Sequence, residues 1–214
     1  MYLPDHFRED DPGRLHALIE RAPLGTLVTL DAEGGIVANH IPFILDTRGD
    51  GPARLLGHVA RANALWTDHP ADRDVLVVFQ EADAYITPTW YATKRETHRV
   101  VPTWNYAVSH VRGPLIVHDD PKWLRGQAGM LTRAMERRRD SDWKMADAPQ
   151  DYLAEQLDHI VGIEIPVVRL VGKVKASQNR VDADREGAIA GLAETGDAAD
   201  TAMAALMREA ADRA

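Results

Sequence analysis

Extended runs follow one another in this chain without the regular strand–helix–strand alternation that a parallel sheet demands. Leu24 to Leu30 is rich in Leu, Val and Thr, Asp31 to Gly35 has turn composition, and Ile36 to Leu45 is again extended, which together predict a hairpin. Arg54 to Val59 predicts a third strand leading into a short helical segment to His69, and Val75 to Gln80 and Ala84 to Thr87 predict two more strands. Thr103 to Val117 is extended but interrupted at Gly113-Pro114, and Ile160 to Lys175 reads as one long strand in which Pro166 needs an edge or a bulge. Helices are expected at Pro12 to Ala22, after Asp119-Asp120-Pro121 with Leu124, Ala128, Leu131 and Met135 on one face, and from Ala148-Pro149 to His159. Strands clustered in this way predict an α+β fold, a β-barrel with peripheral helices.

The 214 residues suit one core with additions better than two independent domains. Residues 1–181 are expected to form the barrel domain. Residues 182–214 turn alanine-rich, with two helical stretches parted by Thr195-Gly196, and are expected to pack as an extension on the barrel or on a partner chain. No apolar run approaches the roughly 20 residues that cross a bilayer, and the N-terminus lacks signal-peptide character, so a cytoplasmic protein without membrane contact is expected. The chain has no cysteine, which excludes disulfides, thiolate metal ligation and a cysteine nucleophile. Its net charge of −8 repels nucleic acid at long range, so DNA binding would need a local basic patch.

Four segments concentrate chemistry. In Ala38-Asn39-His40-Ile41-Pro42, a strand period of two sends Asn39 and His40 to opposite faces, so at most one points to the core. Gly57-His58-Val59-Ala60-Arg61-Ala62-Asn63 carries a strand into a short helix; Arg61 could grip a phosphate with His58 and Asn63 donating, or Asn63 could cap the helix with Arg61 solvated. Tyr85 to Tyr91 and Val101 to Tyr106 place Trp90 and Trp104 beside a polar loop from Pro88 to Pro102, suited to a planar heterocycle or to anchoring a core or interface. Gly172 to Arg180 puts Lys173 and Lys175 on one strand face ahead of Ser177, Gln178 and Asn179, which suits either a phosphate or a turn.

Other signals are weaker. The nine histidines form no HExxH or His-x-His arrangement, and Glu155 with His159 reads as an exposed helical pair, so no metal site is expected. Gly34 and Gly35 lie in a hairpin turn, with neither a Walker lysine nor a GxGxxG helix start behind them. Arg133, Arg137, Arg138 and Arg139 form a dense basic cluster that reads as a solvated helix end or, less economically, as a DNA contact.

Taken in order, these words resemble the PaiB-like FMN-binding negative transcriptional regulators. The resemblance rests on Met1-Tyr2-Leu3-Pro4 with His6-Phe7, Pro23-Leu24-Gly25-Thr26-Leu27-Val28 and the Asn39-His40 and His58 to Asn63 segments. It continues through Tyr85-Ile86-Thr87-Pro88 with Trp90-Tyr91, Val101-Pro102-Thr103-Trp104-Asn105-Tyr106, and Ile160 to Ile165, and covers Met1 to Leu192. It implies an FMN-binding split β-barrel of the pyridoxamine-phosphate-oxidase-like superfamily, working as a homodimer with FMN at the subunit interface. By that likeness Asn39 and His40 line the flavin, His58, Arg61 and Asn63 hold its phosphate, and Trp104 with Lys173, Gln178 and Asn179 completes the pocket or comes from the partner subunit. The chain departs from the family at Ala176, where leucine is usual, and at Thr87, where serine is common.

The resemblance implies a flavin-binding regulator. The alternative, from the enzyme class, is a flavin-dependent oxidoreductase acting on a small molecule, with His40 and Tyr106 as acid–base candidates.

Overall fold

Asp11 starts the first helix as its side chain predicts, its Oδ1 accepting the Arg14 N–H at 3.1 Å. The computed structural model describes residues 1–212. Its elements are β1 (Arg8–Glu9), α1 (Pro12–Arg21), β2 (Leu24–Leu30), β3 (Ile36–Pro42), β4 (Ile44–Asp46), β5 (Arg54–Ala60), α2 (Leu65–Asp68) and β6 (Asp74–Ile86). There follow α3 (Lys94–Thr97), β7 (Thr103–Pro114), β8 (Ile116–His118), α4 (Pro121–Arg137), α5 (Gln150–Asp158), β9 (Ile160–Pro166), β10 (Arg169–Lys175), α6 (Asp182–Glu194) and α7 (Ala198–Ala211). The expected mixture of antiparallel strands and helices is present. None of the helices among the described residues is long and apolar enough to cross a membrane.

The chain forms two compact units. A hairpin unit holds Ile19–Phe79 and His110–Leu170; a terminal unit holds Met1–Leu18, Gln80–Ser109 and the chain from Val171 onward.

In the hairpin unit, β2 pairs with β3 (Leu27↔Asn39) and with β6 (Thr26↔Val78), and a second sheet has the order β4-β5-β9-β8. Gly25 lies where a Cβ would press to 2.7 Å from Val77 and 2.8 Å from Phe79, so its lack of a side chain admits the edge-to-face Phe43–Phe79 pair. Leu55, Val161, Ile163 and Ile165 are fully buried in the second sheet. Asp120 caps α4, its carboxylate accepting the Trp123 N–H at 2.7 Å, and α4 buries Leu124, Gln127 and Leu131 as its spacing requires.

In the terminal unit the strand order is β1-β10-β7-β6, with Arg8↔Lys173 in register. Ala82, Ala84 and Ile86 of β6 pack with Tyr91, Leu192, Met203 and Met207 in one apolar cluster that includes α6 and α7. The segment from Pro88 to Pro102 is docked rather than open: Thr93 donates from N and from Oγ1 to the buried Asp184 carboxylate at 2.9 and 2.7 Å. A Cβ at Gly187 or Gly191 of α6 would run into the Trp90 carbonyl or indole, so the glycines let Trp90 lie against the helix.

Three strand expectations are corrected. Val75 to Gln80 and Ala84 to Ile86 belong to one 13-residue strand, β6, and Thr87 caps the turn that follows. Its buried positions are Val75, Val77 and Phe79, then Ala82, Ala84 and Ile86, so the alternation shifts by one residue between Phe79 and Ala82. Ile160 to Lys175 is two strands in different sheets, because Pro166 has no N–H to continue a ladder and Val168 instead donates to the Arg112 carbonyl at 3.0 Å. The interruption expected at Gly113-Pro114 falls instead at Leu115: β7 continues through both residues, and Gly113 lacks a Cβ where one would collide with the Pro166 carbonyl oxygen.

Candidate functional site

Asn39 and His40 divide between the two faces of β3 as alternation requires. Asn39 is half-buried on the face of buried Ile41, and His40 is exposed opposite. The Asn39 Oδ1 accepts from Asn63 Nδ2 at 2.8 Å, while the Asn39 Nδ2 is buried with no partner among the described residues. Asn63 serves two ends, because its Oδ1 also accepts the Leu65 N–H at 3.1 Å at the start of α2. An unpaired buried donor costs free energy and is a place where a ligand acceptor would be stabilised.

His58 and Arg61 are engaged by the protein itself. His58 Nδ1 lies 2.7 Å from Oε1 of the buried Gln127, whose Nε2 reaches the Leu56 carbonyl at 3.4 Å, tying β5 to α4. Arg61 gives Nη1 and Nη2 to the Asp119 carboxylate at 3.0 and 2.6 Å, Nε to the Asp158 carbonyl at 2.7 Å, and Nη2 also to the Ile160 carbonyl at 3.1 Å. The hydrogen bond from Arg61 holds the Asp119 carboxyl below its ordinary range. A phosphate at Arg61 would have to compete with that carboxylate.

In the terminal unit the cations have no such competitor. Lys173 is buried; its Nζ donates to the Tyr2 carbonyl at 3.3 Å and lies over the rings of Tyr2, Phe7 and Tyr106, 5.2 Å from the last centroid. Lys175 shares its strand face and donates to Thr103 Oγ1. Among the described residues neither lysine forms an ion pair. Burial pushes the Lys175 ammonium below its ordinary pKa, and the charges of Lys173 and Arg180 push the same way. Arg180 covers the Tyr91 ring, 4.9 Å from its centroid.

Trp104 is half-exposed, its Nε1 donating to Asp83 Oδ2 at 2.7 Å and its ring edge-to-face with Tyr85 at 5.9 Å. The Gln178 amide is occupied locally, accepting from Ala176 N and donating to the Val174 carbonyl, both at 2.7 Å. Asn179 is exposed. Ser177 stands at φ 61° with its Oγ accepting from buried Asn105 at 2.9 Å. Thus the structure joins Asn39 to Asn63 in the hairpin unit and gathers Lys173, Lys175 and Arg180 in the terminal unit. The sequence already marks Lys173 and Lys175 by their i, i+2 spacing and Tyr106 as an acid–base candidate; Arg180, whose guanidinium lies over the Tyr91 ring, is what the structure adds to them.

Within the terminal unit, the cationic face and the aromatic surface of Tyr85, Trp104 and Tyr106 match the chemistry of a planar phosphorylated ring. The family model described as "Putative FMN-binding domain" matches residues 1–169. The chain belongs to the PaiB-like FMN-binding family. Relatives of this family include the "Protease synthase and sporulation protein PAI 2" of Bacillus subtilis, 30% identical over 86% of this chain and 85% of that protein. Protein AN0679 of Emericella nidulans is 34% identical over 98% of this chain and 97% of its own. Among solved structures, the FAD and heme binding protein from Mycobacterium smegmatis aligns with a TM-score of 0.56 at 15% identity, over 78% of this chain and 73% of that one. The flavocytochrome Anf3 from Azotobacter vinelandii gives 0.56 at 12% identity, over 78% and 69%. At such identities these likenesses establish shared fold alone.

Proposed function

We propose that this member of the PaiB-like family is a homodimeric split-barrel flavoprotein that binds FMN and acts as a negative transcriptional regulator. The observation that carries the cofactor assignment is the pair Lys173 and Lys175: two ammonium groups on one strand face, beside aromatic rings, with no ion pair among the described residues. Holding such cations in a partly desolvated place is costly unless an anion joins them, and the phosphate of FMN is that anion. Asn39 and His40 would line the ring, Trp104 would flank it, and Gln178 and Asn179 would border the phosphate. The phosphate role expected of Arg61 is less well supported, given its hold on Asp119. A bound flavin supplies electron transfer; the protein's part is to bind and orient it.

Dimerisation is supported by one sheet face. Leu24 and Ile36 are exposed, and Val28, Leu76 and Val78 on the same side of β2, β3 and β6 are only half-buried, so the hairpin unit carries apolar residues on both faces of this sheet. The Bacillus relative is named a protease synthase and sporulation protein; the regulatory reading comes from the resemblance to the PaiB-like regulators, and the net charge of −8 favours action through a partner over direct DNA contact.

Titration of flavin-free protein with FMN, followed by flavin fluorescence and by sedimentation, tests the reading. Saturable binding of one FMN per chain by a dimer is expected. A chain that stays monomeric and leaves FMN fluorescence unchanged would overturn it.

A further inference from the structure

The α4 helix contains two glycines that packing does not require. A Cβ at Gly126 would meet nothing within 4 Å, and one at Gly129 would touch only the Met145 methyl at 3.6 Å, an ordinary contact. Glycine in a helix interior is less stable than alanine, so these positions give up stability without relieving a clash. What they do is keep a floor open. After α4 the chain reverses at Asp140, in the left-handed region at φ 51°, and the Ser141 N–H returns to the Glu136 carbonyl at 3.2 Å. The segment from Ser141 to Ala146 then runs back beside the helix and forms the second wall of a cleft of about 710 Å³. That volume lies in the range of small-molecule sites.

Charge in the cleft is unbalanced. Arg125, Arg133, Arg137 and Lys144 line it against two carboxylates, Glu136 and Asp142. Arg133 and Arg137 stand one helical turn apart and form no ion pair among the described residues, while Arg125 is tied to Gln150 at 2.9 Å. Trp143, 47% exposed, contributes an aromatic wall. Adjacent guanidinium groups are suited to a carboxylate or phosphate, and an indole over an open glycine floor is suited to a flat ring.

We infer that this cleft binds a small organic anion carrying an aromatic ring, its acid group held by Arg133 and Arg137 and its ring against Trp143. A concave site containing Glu136 and Asp142 is ill-suited to a nucleic-acid backbone, which needs a continuous run of cations. The site shares no residue with the proposed flavin contacts, so it stands or falls apart from them.

Calorimetric titration of the folded chain with phenyl phosphate, with and without added FMN, tests this, with inorganic phosphate and phenol as the separate halves of the probe. Saturable binding of phenyl phosphate, tighter than either half, is expected. Arg133→Ala combined with Arg137→Ala should weaken it about tenfold or more, and Gly126→Leu should abolish it by filling the floor, with FMN affinity and circular dichroism unchanged in both. Binding equal in all three proteins, or no binding at millimolar probe, overturns the inference. So does duplex DNA binding that the arginine variant loses while phenyl phosphate is ignored, which would make the patch a nucleic-acid contact.

Discussion

Arg61 and Asp119 form a two-pronged ion pair, with Nη1 and Nη2 at 3.0 and 2.6 Å from the two carboxylate oxygens. The same guanidinium reaches the carbonyls of Asp158 and Ile160, so its fixed fork is spent on joining the end of β5 to the start of β9. Arg61→Ala should therefore lower the melting temperature while leaving the FMN dissociation constant within about twofold, since a charge-assisted bond to ligand would cost at least tenfold. Fluorescence titration of the variant checks this. A tenfold loss would return the phosphate to Arg61.

Lys175→Met should weaken FMN by about 1.5–3 kcal/mol, the size of a lost hydrogen bond to a charged group. Burial lowers the Lys175 pKa, so FMN affinity should fall as pH rises through a value below that of an ordinary lysine. The sign for folding is the reverse. A lysine whose folded pKa is depressed lowers stability in full below that pKa, and the cost fades as pH rises from there to the ordinary lysine value, so the methionine variant without flavin should melt higher than the parent near neutral pH. Paired thermal melts with and without FMN read both effects.

Asp46 is an acid-sensitive point of the hairpin unit. Its carboxylate accepts from Arg48 Nε and Arg54 Nη2, both at 2.6 Å, and the Arg48 bond leads in lowering its pKa from 3.8 to about 2 against the cost of burial. A depressed carboxylate contributes stability above its unfolded pKa and loses it as pH falls through the folded one, so this contribution disappears between about pH 4 and pH 2. Because Arg48 is 71% exposed and screened by solvent, Asp46→Asn should cost only about 1–2 kcal/mol at neutral pH. The variant's urea midpoint should change less than the parent's across that acid window.

Gly187→Ala should destabilise the terminal unit by about 1–3 kcal/mol, the usual cost of overpacking. The obstacle is the Trp90 carbonyl, which is backbone and has little room to move. Gly126→Ala, in open space, should instead stabilise by about 0.5–1 kcal/mol. Urea denaturation of the two variants gives opposite shifts if the helix environments are as described.

Local order was legible wherever the signal was itself local. The hairpin of β2 and β3, the caps at Asp11 and Asp120, and the helices of the alanine-rich tail follow from alternation, turn composition and capping chemistry within a few residues of each position. Gln80, Glu81 and Asp83 interrupt the apolar run of β6 and so suggest two pieces, and because its buried alternation shifts by one residue there, no single period of two spans the strand.

Side-chain partners were a different matter. The segment from His58 to Asn63 has the residue types of an anion site, yet His58 is met by Gln127 and Arg61 by Asp119, chosen 69 and 58 residues away. The spacing of Lys173 and Lys175 left a phosphate site and a simple turn equally open, and only the paired β10 shows aromatic rings around Lys173 and, among the described residues, no ion pair to either lysine. Backbone hydrogen bonding repeats every two or every 3.6 residues and so writes strands and helices into neighbouring positions. Whether a cation meets an acid or waits for a ligand depends on which distant side chain the folded chain brings within about 4 Å, and no local pattern encodes that distance.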